Sequence, residues 1–355
     1  MTNGEYTPAI RARDLEKRFD DTVALHGFHL DVHAGHILTL LGPSGSGKTT
    51  ALRLIAGFDR PDRGRIEIDG RVMADRDVFV PPEKRRVGMV FQDYALFPHL
   101  TVARNVAYGV RNGTRRRRVA ETLELVGLAG KEDRMPHELS GGEQQRVAIA
   151  RALAPNPDVI LLDEPFSNLD ASLRARVRSE VAAILREAGT TAVFVTHDQE
   201  EALSMSDFVA VMRDGRVVQA ARPADLYQNP ADDWVAEFLG DADFIECEAN
   251  AGTVTTPVGV FPTRLEGRVR VMIRPESVSV QRDASGNAVV RDRQYFGHDQ
   301  LVTVDLANGT TLRARLGPSP YLQPGDLVSV AVTEVSTFPL LNQDAAVDQP
   351  VRIDR

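Results

Sequence analysis

Cysteine is nearly absent from this sequence of 355 residues, in which Cys247 is the only one. A single cysteine excludes an intramolecular disulfide and a zinc site built from cysteines, and we interpret Cys247 as a small packed hydrophobic residue. Aromatic residues are also sparse, at 6%. After residue 240 few occur beyond Tyr295, Phe296 and Tyr321. This scarcity disfavours a base-stacking surface for oligonucleotides in the C-terminal part.

Long apolar runs are missing as well. No stretch of about 18 consecutive apolar residues occurs, and the first residues lack the basic-then-apolar pattern of a signal peptide. We therefore expect the chain to stay in the cytoplasm and to reach a membrane only through a partner. The net charge of −8 disfavours sequence-independent binding to nucleic acid, which requires a basic surface.

The stretch "LLGPSGSGKTT" (residues 40–50) matches the pattern G-x-x-x-x-G-K-[ST] without gaps. The apolar run "ILTLL" before it indicates a buried strand, and "TTALRLIAGF" after it has helical periodicity. Glycines let several backbone N–H groups converge on one anion, which the N-terminal end of the following helix also attracts. The predicted phosphate-binding residues are Gly42, Pro43, Ser44, Gly45, Ser46, Gly47, Lys48, Thr49 and Thr50. Lys48 is predicted to contact the β- and γ-phosphates, and Thr49 to ligate magnesium.

Another apolar strand ends in an acidic pair. "VILLDEP" delivers Asp163 and Glu164 side by side, and consecutive strand residues point to opposite sides. Alone, such a pair is also compatible with an exposed strand end. Beside a phosphate-binding loop, we predict Asp163 as a magnesium ligand and Glu164 as the general base that polarises the attacking water.

Two further strands end in polar side chains. His197 ends the strand in "FVTHDQEEA", and Gln92 ends the strand in "VFQDYALFPHL". A lone histidine is also compatible with satisfying a local carbonyl. Because parallel strands place their chemistry at their carboxyl ends, we predict that His197 contacts the γ-phosphate and that Gln92 hydrogen-bonds a metal-bound water.

A second candidate anion site precedes the amphipathic segment in "LSGGEQQRVAIARALA". Ser140, Gly141 and Gly142 stand at the predicted N-terminus of that helix, where backbone donors are free to bind an anion. One nucleotide per chain does not require two phosphate sites. The economical explanation is a head-to-tail dimer in which each ATP lies between the loop of one chain and the Ser-Gly-Gly of the other.

The order of patterns predicts two modules. Up to about residue 207, apolar strands alternate with helical stretches, which indicates an α/β fold with a mostly parallel sheet. From about residue 241, short alternating strands with frequent glycine and proline indicate a small all-β module. We predict the domains as residues 1–240 and 241–355.

The set "GPSGSGKT", "VFQDYALFPH", "LSGGEQQR", "VILLDEP", "SNLD" and "VTHD" resembles the ATP-binding subunit of an ABC transporter over residues 8–240. The resemblance implies a P-loop NTPase fold with a helical subdomain, and ATP and Mg²⁺ as cofactors. It implies that Phe19 stacks on adenine, although by itself Phe19 would be interpreted as core. It also implies that the Gln92 loop couples to a permease, that Ser140 to Glu143 close on the partner's ATP, and that Asp170 communicates across the dimer.

The second module, with "MIRPESV", resembles the OB-like TOBE domain of importer ATPases for sugars, polyamines, sulfate and iron. The segments "VPPEKRRVGMVFQDYALFPHLTVARNVAYG" and "QYFGHDQLVTVDL" are most similar to ferric-iron importers. This resemblance implies a homodimer of ATPase subunits with two integral-membrane permeases, served indirectly by an extracytoplasmic substrate-binding protein. It also implies a peripheral position on the cytoplasmic face of the inner membrane. In such systems the ATPase does not touch the cargo.

Two residues depart from the family pattern, and several alternatives stay open. Glu143 stands where many members have glutamine, and His36 where relatives commonly have glutamate. The alternative cargoes are polyamine, sulfate or thiosulfate, thiamine and sugar. A soluble ABC ATPase that acts on nucleic acid or ribosomes is disfavoured by the single cassette, the acidic balance and the lack of a long coiled coil. An exporter ATPase is disfavoured by the added β module.

Overall fold

The computed structural model of the chain describes residues 8–111 and 113–340. The chain divides into two compact units between Leu226 and Tyr227. The strands before this division are β1 (Ile10–Phe19), β2 (Thr22–Val32), β3 (Ile37–Leu41), β4 (Arg63–Ile68), β5 (Arg71–Ala74), β6 (Val87–Val90), β7 (Val159–Asp163), β8 (Thr191–Thr196), β9 (Phe208–Arg213) and β10 (Arg216–Ala221). The helices are α1 (Lys48–Ala56), α2 (Val102–Ala107), α3 (Arg115–Leu125), α4 (Gly141–Leu153), α5 (Ala171–Glu187), α6 (Gln199–Met205), α7 (Pro223–Gln228) and α8 (Asp233–Leu239).

The central sheet of the first unit has the order β10-β9-β3-β8-β7-β6. All its neighbouring pairs from β9 to β6 are parallel, and β10 pairs with β9 antiparallel. Every residue of β3 and β8 is buried, as expected for strands that are covered on both faces. The predicted mostly parallel sheet is therefore confirmed.

Two further layers complete the first unit. An antiparallel sheet of order β2-β1-β4-β5 shares a hydrophobic core with α1 and with one face of the central sheet. Helices α2, α3 and α4 form the helical subdomain around a second core, which includes Val106, Leu123 and Val147. No helix in the described part of the chain combines the length and apolar composition that a membrane crossing requires.

The second unit begins with helix α8, and from Asp243 onward it is built from strands, as predicted. Its strands are β11 (Asp243–Asn250), β12 (Thr253–Thr256), β13 (Gly259–Pro262), β14 (Gly267–Ile273), β15 (Val278–Arg282), β16 (Ala288–Tyr295), β17 (Gln300–Leu306), β18 (Thr311–Leu316), β19 (Leu327–Val332) and β20 (Ser336–Pro339). They form two antiparallel sheets, of order β13-β12-β11-β14-β20 and β15-β19-β16-β17-β18. The segment "RVRVMIRPESVSV" contributes two strands, because a short 3-10 turn at Pro275–Ser277 separates β14 from β15.

The observed division lies earlier in the chain than the predicted boundary at residue 240. The buried guanidinium of Arg274, just after β14, donates hydrogen bonds to the carbonyl oxygens of Ala236, Gly240 and Asp241 at 3.0 to 3.1 Å. Ala236 on α8 also packs against Met272 in a small apolar cluster. Helix α8 is therefore held by the β unit. Residues 341–355 of the predicted second module lie outside the described residues.

Arg85 is a buried charge that holds the C-terminal turn of α1. Its side chain is fully buried and donates to the carbonyl oxygens of Leu54, Ile55, Val80 and Met73 at 2.6 to 3.3 Å. Burial lowers the pKa of Arg85 to about 10. The carbonyls at a helix C-terminus have no partner within the helix, so a cation there is favourable.

We expect Arg85→Ala to lower the free energy of unfolding of the first unit by about 3 kcal/mol, because it leaves several buried carbonyls without a donor. Urea denaturation followed by circular dichroism would measure the loss. The matched control is Arg71→Ala, since Arg71 is half-exposed and pairs with Asp158 at 2.7 Å; such pairs contribute at most about 1 kcal/mol. Equal losses for the two variants would contradict the role of Arg85.

Candidate functional site

The phosphate-binding loop runs from the end of β3 to the start of α1 and is packed so closely that two of its positions have no room for a side chain. Gly47 has φ +95°, and a Cβ there would lie 2.4 Å from the Ala24 carbonyl oxygen. A Cβ on Gly42 would lie 2.4 Å from the carbonyl oxygen of Met212. The neighbouring strands β2 and β9 therefore force bare backbone at the positions that the motif assigns to glycine.

Lys48 carries a buried charge inside this loop. Its side chain is only 5% exposed, and its Nζ donates to the carbonyl oxygens of Gly42 and Pro43 at 2.8 Å each. Burial lowers the pKa of Lys48, and the nearby Glu164 and Asp163 carboxylates act against this shift. The loop thus encloses an ammonium group whose partners are neutral carbonyls, and a phosphate oxygen would be a stronger partner.

Asp163 and Thr49 meet at the end of β7. The Thr49 hydroxyl donates to Asp163 Oδ1 at 3.1 Å. Burial raises the pKa of Asp163, and the hydrogen bond from Thr49 opposes that shift. A carboxylate and a hydroxyl beside a phosphate-binding loop are the oxygen ligands that Mg²⁺ prefers. The residues present therefore fit a magnesium ion.

Glu164 and His197 form a second pair at the same edge of the sheet. His197 Nδ1 lies 3.0 Å from Glu164 Oε1. Glu164 has φ 42°, and its N–H donates to the Val195 carbonyl at 3.0 Å. Glu164 therefore lies outside the strand, so strand alternation does not set the directions of Asp163 and Glu164 as expected, although the two carboxylates do contact different partners. Asp163 is the last residue of β7, and a left-handed turn directs Glu164 toward the end of β8.

Gln92 reaches this edge from the loop after β6. Its side chain is exposed, and its carbonyl accepts a hydrogen bond from Asn168 Nδ2 at 2.9 Å. Further along the loop, Arg151 of α4 donates to the carbonyls of Tyr94 and Ala95 at 2.8 and 2.6 Å. Tyr94 is only 6% exposed, so its side chain belongs to the core.

Ser140 and Glu143 form the N-terminal cap of α4. The Ser140 N–H and hydroxyl both donate to Glu143 Oε2 at 2.8 Å, and Lys131 Nζ pairs with the other oxygen of the same carboxylate. The bond from Lys131, followed by those from Ser140, lowers the pKa of Glu143 to about 2. Gly142 is closely packed, since a Cβ there would lie 3.0 Å from Val177 Cγ2. None of these contacts involves Lys48, Thr49 or Asp163.

Two further predicted residues, Asp170 and Phe19, lie at element ends. Asp170 caps α5 by accepting a hydrogen bond from the Leu173 N–H at 2.9 Å. Phe19 ends β1 and is 44% exposed, with Lys17 Nζ 5.2 Å from its ring centroid. Phe19 is therefore not a core residue. It stands on the hairpin whose second strand contributes Ala24, the residue that packs on the phosphate-binding loop.

Three residues with a place in this arrangement were not predicted. They are Asn168, Arg151 and Lys131, which hold the Gln92 loop or the Ser140 cap. Asn168 stands inside "SNLD", so its position beside the acidic strand end was a usable signal. No local sequence pattern marks Arg151 or Lys131, because each of them contacts a different segment of the chain.

Comparisons with known proteins identify the family of both parts of the chain. The family model for "ABC transporter" matches residues 25–167, and that for "TOBE domain" matches residues 271–340. The chain is 47% identical over 310 residues to the Fe(3+) ions import ATP-binding protein FbpC of Pseudomonas fluorescens, which covers 84% of this chain and 88% of that protein. It is 49% identical over 294 residues to the spermidine/putrescine import ATP-binding protein PotA of Acidothermus cellulolyticus, which covers 80% and 74%.

A similar solved structure is that of the ATP-binding cassette MJ0796, described as dimeric and bound to ADP and Pi. It matches with a TM-score of 0.51 and 33% identity, covering 60% of this chain and 98% of that one. The motif order, the geometry of the phosphate-binding loop and these relatives all indicate the same family. The chain therefore belongs to the family of ABC transporter ATP-binding proteins, within the import ATPases that couple ATP hydrolysis to transport and carry a TOBE domain.

Proposed function

We propose that this chain powers the import of ferric iron, with Lys48 as the phosphate ligand and Glu164 as the general base. The observation that carries the ATPase chemistry is the buried Lys48 ammonium, held by two carbonyls of its own loop. A phosphate group would replace these neutral acceptors with a charged one. The adenine would stack on the exposed ring of Phe19.

Hydrolysis requires a base beside the phosphate-binding loop, and Glu164 meets that requirement. Its carboxylate is partly buried and contacts His197 at 3.0 Å. Glu164 would accept a proton from the attacking water, while His197 would fix the carboxylate and contact the γ-phosphate. Thr49 and Asp163 would hold Mg²⁺, with Gln92 at its water shell. That ion would neutralise charge on the phosphates.

The assembly proposed for the chain is a homodimer bound to two membrane permeases on the cytoplasmic face of the membrane. Ser140 to Gly142 of one copy would close on the ATP of the other, and Asp170 would contact the opposing subunit. The dimeric state of the MJ0796 structure supports this arrangement. The loop of Gln92 would couple to the permeases, and an extracytoplasmic binding protein would deliver the cargo.

Ferric iron is the proposed cargo because ferric-iron import proteins are among the most similar relatives, with 47% identity to the Pseudomonas protein over 88% of its length. The second candidate is a polyamine, which the 49% identity to a spermidine/putrescine import protein favours. Both relatives are import ATP-binding proteins with similar identity to this chain, so the cargo must be tested by uptake.

The first prediction concerns the base. We expect Glu164→Gln to lower the kcat of ATP hydrolysis by at least about 100-fold, because an amide cannot accept the proton of water. ATP binding should persist, since glutamine keeps the volume and a hydrogen-bond acceptor for His197. Phosphate release assays and equilibrium titration with ATP would measure the two effects. Hydrolysis near the wild-type rate would refute the role of Glu164.

A change at Lys48 should weaken ATP binding itself, unlike the change at Glu164. We expect Lys48→Ala to weaken ATP binding at least about tenfold, because it removes a charge-assisted contact to phosphate. Isothermal titration calorimetry with ATP would show the change. The matched control is Lys84→Ala, since Lys84 is an exposed lysine in the 3-10 turn Pro82–Lys84. Unchanged ATP affinity in Lys48→Ala would exclude the phosphate contact.

Cargo is tested in cells whose only copy of the gene carries Glu164→Gln. We expect uptake of labelled ferric iron to fall to background, while uptake of spermidine, sulfate and maltose stays unchanged. Loss of spermidine uptake alone would favour the second candidate and exclude iron. Normal uptake of every solute would exclude an import role under these conditions of growth.

A further inference from the structure

The N-terminal end of α4 combines two features that oppose each other. It is an anion-attracting helix end with two glycines, and it also carries the carboxylate of Glu143. The side chain of Glu143 is 18% exposed and accepts both donors of Ser140, its N–H and its hydroxyl, at 2.8 Å. The donors that would bind a phosphate are therefore turned toward a negative charge of the same chain.

Such a carboxylate would repel the phosphates of an approaching nucleotide. Two like charges a few ångströms apart near a protein surface interact by one to several kcal/mol, and salt screens this repulsion. A neutral glutamine could accept the same two hydrogen bonds in a capping box without the charge. Glu143 therefore requires a nearby cation if the Ser-Gly-Gly turn is to bind an anion.

Lys131 is that cation. Its Nζ pairs with Glu143 Oε1, whereas Ser140 occupies Oε2, so the two oxygens of the carboxylate have separate partners. Lys131 lies ten residues before the helix, in a loop held by the hydrogen bond from the Arg134 N–H to the Lys131 carbonyl at 3.1 Å. Its side chain is 42% exposed, so its charge is also accessible from outside the subunit.

We propose that Lys131 is a positioning residue for the proposed ATP-dependent closure of the dimer. Lys131 neutralises the charge of Glu143, so that the donors of Ser140 to Gly142 can bind a phosphate of the partner's nucleotide. The proposal rests on the dimer described above. Lys131 has no proposed contact with the attacking water or with Glu164. Its loss should therefore impair closure of the dimer on ATP and not the chemical step.

The test uses four full-length proteins: wild type, Lys131→Ala, Glu143→Gln and the double variant. We expect Lys131→Ala to raise the KM for ATP about fivefold with kcat within about twofold, as an uncompensated surface charge predicts. Glu143→Gln should lower the KM, because it removes the carboxylate and leaves the Lys131 cation uncompensated. The double variant should return to within about twofold of wild type, because no unpaired carboxylate is left.

A purely structural role of the pair makes different predictions. It predicts that Glu143→Gln is as harmful as Lys131→Ala and that the double variant is no better than either. Such a result would overturn the proposal, as would an unchanged KM in Lys131→Ala. The charge mechanism also requires that the defect of Lys131→Ala shrinks when salt is raised from about 0.1 M to 0.5 M, since the screening length falls. Lys131→Arg should behave as wild type.

The chain offers a matched control three residues away. Arg134 pairs with Glu138 at 3.2 Å, and Glu138 accepts the Met135 N–H at 2.6 Å, which repeats the geometry of Lys131, Glu143 and Ser140 in the preceding turn. Arg134→Ala should leave the KM within about twofold. An equal rise in KM for Arg134→Ala would show a general effect of this segment and would refute the specific role of Lys131.

The proposal and the proposed dimer fail in different ways. ATP-induced dimerisation is measured by analytical ultracentrifugation in the Glu164→Gln background. If that parent protein stays monomeric at saturating ATP, the dimer itself is refuted. If it dimerises and the added Lys131→Ala requires no more ATP to do so, only the role of Lys131 is refuted.

Discussion

The buried ammonium group of Lys48 is the constraint on which the candidate site depends. A buried charge is stable only with hydrogen-bond partners, and here the partners are the carbonyls of Gly42 and Pro43 in the same loop. The loop can turn these carbonyls inward because neighbouring backbone fixes its shape: Met212 presses on Gly42 and Ala24 on Gly47. The loop is thus built around a charge before any nucleotide arrives.

The register of the parallel sheet brings the other groups to that charge. Leu41 pairs with Thr196, and Asp163 pairs with Val195, so β3, β7 and β8 end at one edge. The residues that follow them are the phosphate loop, Glu164 and His197. Because side chains in a strand alternate between faces, a slip of one residue would turn a whole strand over. The buried apolar runs that fix this register therefore also fix the distances within the site.

Much of the first unit was predictable, because its signals are local. The apolar strands and the glycine motif each lie within a dozen residues, and the motif names Lys48 and Thr49 directly. The turn at Glu164 was not predictable, since its left-handed backbone is tied to Val195 on another strand. In the second unit, β11 and β13 are hard to predict because their burial is shallow, and β12 because it has only four residues. The role of Arg274 in holding α8 depends on contacts that span more than 30 residues.

The loop of Gln92 is held from two directions, and this limits how it can move. Asn168, in the segment after Glu164, donates to the Gln92 carbonyl. Arg151, in the last turn of α4, donates to the carbonyls of Tyr94 and Ala95. A displacement of this loop must either break the two bonds from Arg151 or carry α4 with it. Because α4 is a continuous helix from Gly141 to Leu153, its other end is the Ser140 cap. A displacement of the loop that keeps the two bonds from Arg151 would therefore also shift the Ser140 cap, while the bond from Asn168 would oppose it.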